Sequence, residues 1–209
     1  MINDLFWKRD LDKHYRVGLP NYVQESLYSS FLSLKENNQL EKNTFSKVIK
    51  TKNINLYETF HPLCYEILLS IQTNEEICNQ LKINQKKLTL KNLYFLDYKK
   101  NQKDLWHTFN HLGDLVFFIC LNNDSSNRFY KTKSYSDTEV VIGHQKNIIY
   151  VCDANSIYRS DPVKDHLTLA VGILKFTERD KSFSDKMYWL SHDLPLRIKI
   201  LNKIKKIWN

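Results

Sequence analysis

The chain has 209 residues, 42% of them hydrophobic and 13% aromatic, with a formal net charge of +8. That apolar content supplies a packed core and excludes general disorder, no run reaches the roughly 20 apolar residues of a membrane-spanning helix, and Met1–Asp10 has no apolar core of a signal peptide. Cys64, Cys78, Cys120 and Cys152 form no Cys-x-x-Cys pair and no zinc spacing, so they read as free thiols in a reducing, cytoplasmic compartment.

The first third reads as helical. Asn21–Glu36 places Val23, Leu27, Phe31 and Leu34 on one face of a helix with Asn21 as its N-cap. Thr59–Ile71 repeats the pattern with Leu63, Ile67 and Ile71, and Pro62 fits the first turn, where a missing N–H costs little. Thr73-Asn74-Glu75-Glu76 starts a third helix with Ile77, Leu81 and Ile83 as its apolar side. His61 beside the second helix start reads as a local hydrogen-bonding residue.

From about Leu88 the period changes to that of strands. Candidate strands are Leu93–Tyr98, Leu115–Leu121, Arg128–Ser134, Glu139–Ile142, Asn147–Cys152 and Leu167–Phe176. Leu115–Leu121 is apolar throughout, as a strand covered on both faces would be. The polar cluster Asn122–Asn127 reads as a turn. Pro195 in a first turn, with Leu194, Ile198, Leu201, Ile204 and Trp208 on a broad face, gives a final helix flanked by Arg197, Lys199, Lys203, Lys205 and Lys206. The expectation is one domain over 1–209: a mainly helical layer (about 1–87), a β-barrel core (about 88–176) and a C-terminal basic amphipathic helical segment (about 177–209).

Two segments resemble the metal-binding stretches of phytanoyl-CoA dioxygenase-like proteins in the Fe(II)/2-oxoglutarate oxygenase superfamily. The first is Trp106-His107-Thr108-Phe109-Asn110-His111-Leu112-Gly113-Asp114 before an apolar strand. It is similar to the segment that supplies a His-x-Asp or His-x-Glu ligand pair. The second is Ile148–Asp153 followed by Ala154-Asn155-Ser156-Ile157-Tyr158-Arg159-Ser160. It resembles the segment that carries the second His. A third stretch, Asp165–Val171, resembles the start of the last barrel strand, where an Arg grips the distal carboxylate of 2-oxoglutarate.

The resemblance implies an α+β fold, a double-stranded β-helix (cupin-like jelly roll) with N-terminal helices, Fe(II) and 2-oxoglutarate as cofactors, and a small biosynthetic metabolite at the barrel mouth. Three positions depart from it. Phe109 stands where the carboxylate ligand belongs, Tyr158 where the second His belongs, and His166 where the Arg belongs. Facial-triad iron needs two His and one carboxylate. His107 is then the one family-matched ligand left, with His111 and Asp114 as an alternative completion.

If the metal is lost, His107, Tyr158 and His166 are candidate catalytic groups, since His and Tyr can move protons near neutral pH. Trp106, Asn155 and His166 are candidate ligand-binding groups. The same fold used as a non-catalytic binding or scaffold protein is the competing reading. A third reading is nucleic-acid binding by the basic surface. The basic residues are scattered with no Arg-rich tract, which favours surface solubility over that role.

Overall fold

The computed structural model describes residues 14–42, 49–51, 61–81, 87–103, 108–122, 128–132, 140–143 and 145–177. In chain order the elements are β1 (Tyr15–Gly18), α1 (Asn21–Glu36), β2 (Leu40–Lys42), β3 (Ile49–Thr51), α2 (His61–Gln72), α3 (Glu75–Leu81), β4 (Lys87–Lys99), β5 (Leu115–Cys120), β6 (Arg128–Thr132), β7 (Val140–Gly143), β8 (Ile148–Asp153), β9 (Ile157–Ser160) and β10 (His166–Thr177).

The strands form two antiparallel sheets. The larger has seven strands in the order β1-β8-β5-β10-β4-β3-β2, and the smaller has three in the order β7-β6-β9. From β5 onward the chain crosses from the large sheet to the small one and back twice, the winding of a jelly roll. The long β4–β10 ladder runs from His166↔Lys99 to Thr177↔Lys87, with a register shift at Ile173/Leu174. Its partner β5 lies on the other side of β10, from Leu169↔Cys120 to Leu174↔Leu115.

The large sheet is covered on both faces, which explains the unbroken burial of β5. Its outer face packs Leu93, Phe95, Phe117, Ile119 and Val151 against Val23, Leu27 and Phe31 of α1 and against Cys64, Ile67 and Ile71 of α2. Its inner face packs Leu96, Tyr98, Val116, Phe118, Tyr150, Cys152, Leu167, Leu169 and Val171 around Phe109 and Tyr158. Gly172 lies opposite Phe117, and a Cβ there would come 2.0 Å from the Phe117 ring. Only glycine leaves space for that ring.

Helix α1 has the bounds read from its apolar period, but its cap differs. Pro20 takes the cap position with no side-chain bond, and the Asn21 amide donates instead to Glu25 Oε1 (2.5 Å). Helix α3 starts within the expected stretch, and Asn74 caps it by accepting the Ile77 N–H (3.0 Å). The first third is not purely helical, because β1, β2 and β3 extend the large sheet at both edges. Segments of three or four residues are too short for alternation to register as a pattern. No helix among the described residues is long and apolar enough to cross a membrane. The basic segment expected to form the last helix lies outside the described residues.

Candidate functional site

The two loops singled out by sequence are stitched together. The Phe109 N–H donates to the Ala154 carbonyl and the Ala154 N–H to the Asp114 carbonyl, both at 3.0 Å. Within the first loop, the N–H groups of Leu112 and Gly113 return to the Phe109 carbonyl. Gly113 presses against β10, where a Cβ would lie 2.5 Å from Ile173 Cγ2 and 2.6 Å from the Leu174 carbonyl oxygen.

This stitching brings Phe109 and Tyr158 into contact. Their ring centroids are 5.5 Å apart in an edge-to-face arrangement. Phe118 completes an aromatic trio at 6.0 Å from Phe109 and 5.7 Å from Tyr158. Phe109 is 5% exposed, and Phe118 and Tyr158 are fully buried. The Tyr158 hydroxyl donates to the Asp153 carbonyl in a short hydrogen bond. Burial pushes this phenol well above the ordinary tyrosine range; Cys152 and Asp153 add to the shift and Ser156 opposes it.

The donor chemistry of these two positions does not fit iron of the family type. Phe109 has no donor atom. A ligating Tyr158 would have to lose a proton that burial holds in place and would have to release Asp153. The alternative ligands are differently placed. His111 is exposed in the turn, and the Asp114 carboxylate accepts the Phe176 N–H of β10 (2.6 Å). Among the described residues, no three His, Cys, Asp or Glu side chains converge as a metal site. Trp106 and His107 lie outside the described residues.

His166 is not brought together with Tyr158. Its ring lies on the outer face of the large sheet, with Nε2 2.5 Å from Asp97 Oδ1. The inner-facing residues at the start of β10 are Leu167 and Leu169, and neither can hold the distal carboxylate of 2-oxoglutarate. Asn155 is exposed and folds back on Asp153, its backbone N–H and its amide both donating to Asp153 Oδ1 (2.7 and 3.0 Å). That is the hydrogen bonding of a turn.

Sequence reasoning missed Asp97. This carboxylate is 1% exposed and accepts from Lys35 Nζ of α1 (3.0 Å), His166 Nε2 and Thr168 Oγ1 (3.3 Å). The signal was present: an aspartate inside the apolar strand Leu93–Tyr98 must be paired if it is buried. Asn122 fixes the strand beside it, donating to the His166 carbonyl (2.6 Å) and accepting the Thr168 N–H (2.9 Å).

No protein-family model matches the sequence, and no curated protein does. Solved structures do match in fold. The chain is similar to a prolyl hydroxylase from Trichoplax adhaerens in complex with a hypoxia inducible factor peptide, with a TM-score of 0.62, 10% identity, and coverage of 84% of this chain and 88% of that one. It is similar to the non-heme α-ketoglutarate dependent epimerase SnoN from nogalamycin biosynthesis, with a TM-score of 0.61, 11% identity, and coverage of 91% and 88%. A Pseudomonas putida prolyl-4-hydroxylase matches with a TM-score of 0.56, 10% identity, and coverage of 80% and 92%. The fold is that of the 2-oxoglutarate/Fe(II) oxygenases.

Proposed function

We propose that this chain is an oxygenase-fold protein that binds a small biosynthetic metabolite at the barrel mouth without an iron centre of the family type. One observation carries the reading: Phe109 and Tyr158, at two positions to which the sequence resemblance assigns ligands, pack ring against ring in a buried core. Leucines at the inner start of β10 support the same conclusion for 2-oxoglutarate. Binding is favoured over proton-transfer catalysis because the Tyr158 hydroxyl is committed to Asp153 and the His166 ring to Asp97, on opposite faces of the large sheet. SnoN, a fold neighbour crystallised with Fe3+, alpha ketoglutarate and nogalamycin RO, supports a small metabolite as the ligand class.

The test is Fe(II) and 2-oxoglutarate binding to the purified chain under anaerobic conditions, by metal analysis and calorimetry. The expected result is stoichiometric binding of neither. Tight binding of both would overturn the reading and direct attention to His107 with ligands outside the aromatic trio. A thermal-shift screen of small metabolites then identifies the ligand, and a hit whose binding is insensitive to chelator agrees with the proposal.

A further inference from the structure

We propose a second site, on the outer face of the large sheet at the start of β10, that binds a phosphoryl group through Lys35, Lys99 and His166. It is separate from the barrel mouth and stands or falls independently of the reading above.

The argument begins with register. His166 and Lys99 are direct partners across the β10–β4 ladder, and Asp97 and Thr168 are the next pair on the same face. Lys35 reaches the same place from the last turn of α1. Asp97 binds Lys35 through Oδ2 and His166 through Oδ1, so one buried carboxylate holds two basic side chains side by side. Lys99 stands exposed opposite His166. Basic groups directly across from one another on one sheet face destabilise it unless an anion lies between them.

Two basic groups thus share one carboxylate, and Lys99 is the register partner of one of them. Asp165, in the exposed bend before β10, makes no hydrogen bond or ion pair with them among the described residues. The groups are also ordered in advance. Asp97 is 1% exposed, whereas the side chains of Lys35 and His166 are 47% and 41% exposed, so the carboxylate that holds them is dry while much of each basic side chain stays in water. The Lys35 ammonium, which also lies 5.5 Å from the Phe31 ring centroid, has donors beyond the one given to Asp97, and the His166 ring has a second nitrogen, Nδ1, besides the one on Asp97. Asn122 locks the backbone that carries His166. Lysine binds phosphate as a point charge, and none of these three side chains is an arginine whose fork would grip a carboxylate in two parallel bonds.

The test uses the full chain with isotope-labelled histidine and inorganic phosphate as the probe, against a sodium chloride control of equal ionic strength. The expected result is a saturable shift of one histidine ring signal, assigned to His166 by its loss in His166→Gln. Lys35→Gln with Lys99→Gln should weaken phosphate binding about tenfold or more, as expected for losing charge-assisted hydrogen bonds. Lys103→Gln, another exposed lysine beyond this face, should leave binding unchanged. Lys35→Gln takes an ammonium from the buried Asp97 carboxylate and lowers stability, so binding is read well below the melting transition of the double variant, whereas Lys99→Gln alone, at an exposed side chain, should melt as the parent does while still weakening binding. No saturable shift beyond the chloride control would overturn the proposal. So would a shift that survives in the Lys35→Gln/Lys99→Gln variant, or equal binding of acetate. Glycerol phosphate binding more tightly than inorganic phosphate would support the site and identify an organic monoester as its ligand.

Discussion

Phe109 and Tyr158 meet ring edge to ring face at 5.5 Å, although one precedes β5 and the other lies in β9 of the opposite sheet. The sequence resemblance assigns metal ligands to these two positions. In this chain an aromatic contact joins them, held by dispersion and burial. Phe109→Ala should therefore lower stability by about 3–5 kcal/mol, the range for emptying a buried aromatic site. A double-mutant cycle with Tyr158→Ala should show the two losses coupled by about 0.5–1.5 kcal/mol. Urea unfolding of the four proteins measures both. Additive losses would mean that the rings do not support one another.

The sequence carried the large elements and concealed the small ones. The period of α1 and the apolar runs of β5, β8 and β10 were long enough to read, and each lies within a residue or so of its expected position. Strands β1, β2 and β3 were hidden by length. Strand β9 was hidden because Ile157–Ser160 is only four residues long and its Tyr158 packs on Phe109 and Phe118 from distant segments. The positions of Phe109 and Tyr158 as neighbours followed from the resemblance. The face of His166 did not, since one residue of register decides between the inner and outer side of a strand. The ladder that pairs His166 with Lys99 and Thr168 with Asp97, residues distant in sequence, sets that face.

Gly172 is where β10 yields to a ring of β5. A Cβ would lie 2.0 Å from Phe117 Cζ and 2.1 Å from Cε1, inside a core closed on both faces. Gly172→Ala should cost about 1–3 kcal/mol through overpacking. Adding Phe117→Leu should recover part of that loss, because it removes the ring atoms that clash. Melting temperatures of the single and double variants decide it: a double variant less stable than Gly172→Ala would show that the ring is not the obstacle.

Asp97→Ala should destabilise the chain by about 1–3 kcal/mol, less than the 3–5 kcal/mol that breaking a fully buried ion pair costs. The reason is the geometry of its partners. Lys35 and His166 are nearly half exposed and regain water when the carboxylate leaves, whereas the Thr168 hydroxyl is wholly buried and loses its acceptor. Asp97→Ala combined with Thr168→Val should then be more stable than Asp97→Ala alone, since it removes the stranded hydroxyl. Chemical denaturation resolves the order, and the reverse order would mean that the two cations, not Thr168, carry the network.

Alkali should unfold this protein through groups that burial keeps protonated. Burial raises the Tyr158 phenol well above its ordinary value and raises the Cys64 thiol from 9.0 to about 12. Below the unfolded-state values both states hold these protons, and the stability is intact. As pH rises past about 10 the unfolded chain releases the phenol proton while the folded chain retains it, so each such group lowers stability by about 1.4 kcal/mol per pH unit. The loss ends only when pH passes the raised folded value. For Cys64 the same window opens near 9.0 and closes at about 12. Tyr158→Phe removes the phenol contribution but leaves the Asp153 carbonyl with the Ser156 N–H alone (3.2 Å), a cost of about 0.5–1.5 kcal/mol at neutral pH. The variant should therefore be less stable than the parent at pH 8 and lose stability more slowly above pH 10, so that the two curves converge. Urea midpoints at half-unit intervals from pH 8 to 11 test this, and parallel curves would mean that Tyr158 ionises as readily in the folded chain as in the unfolded one.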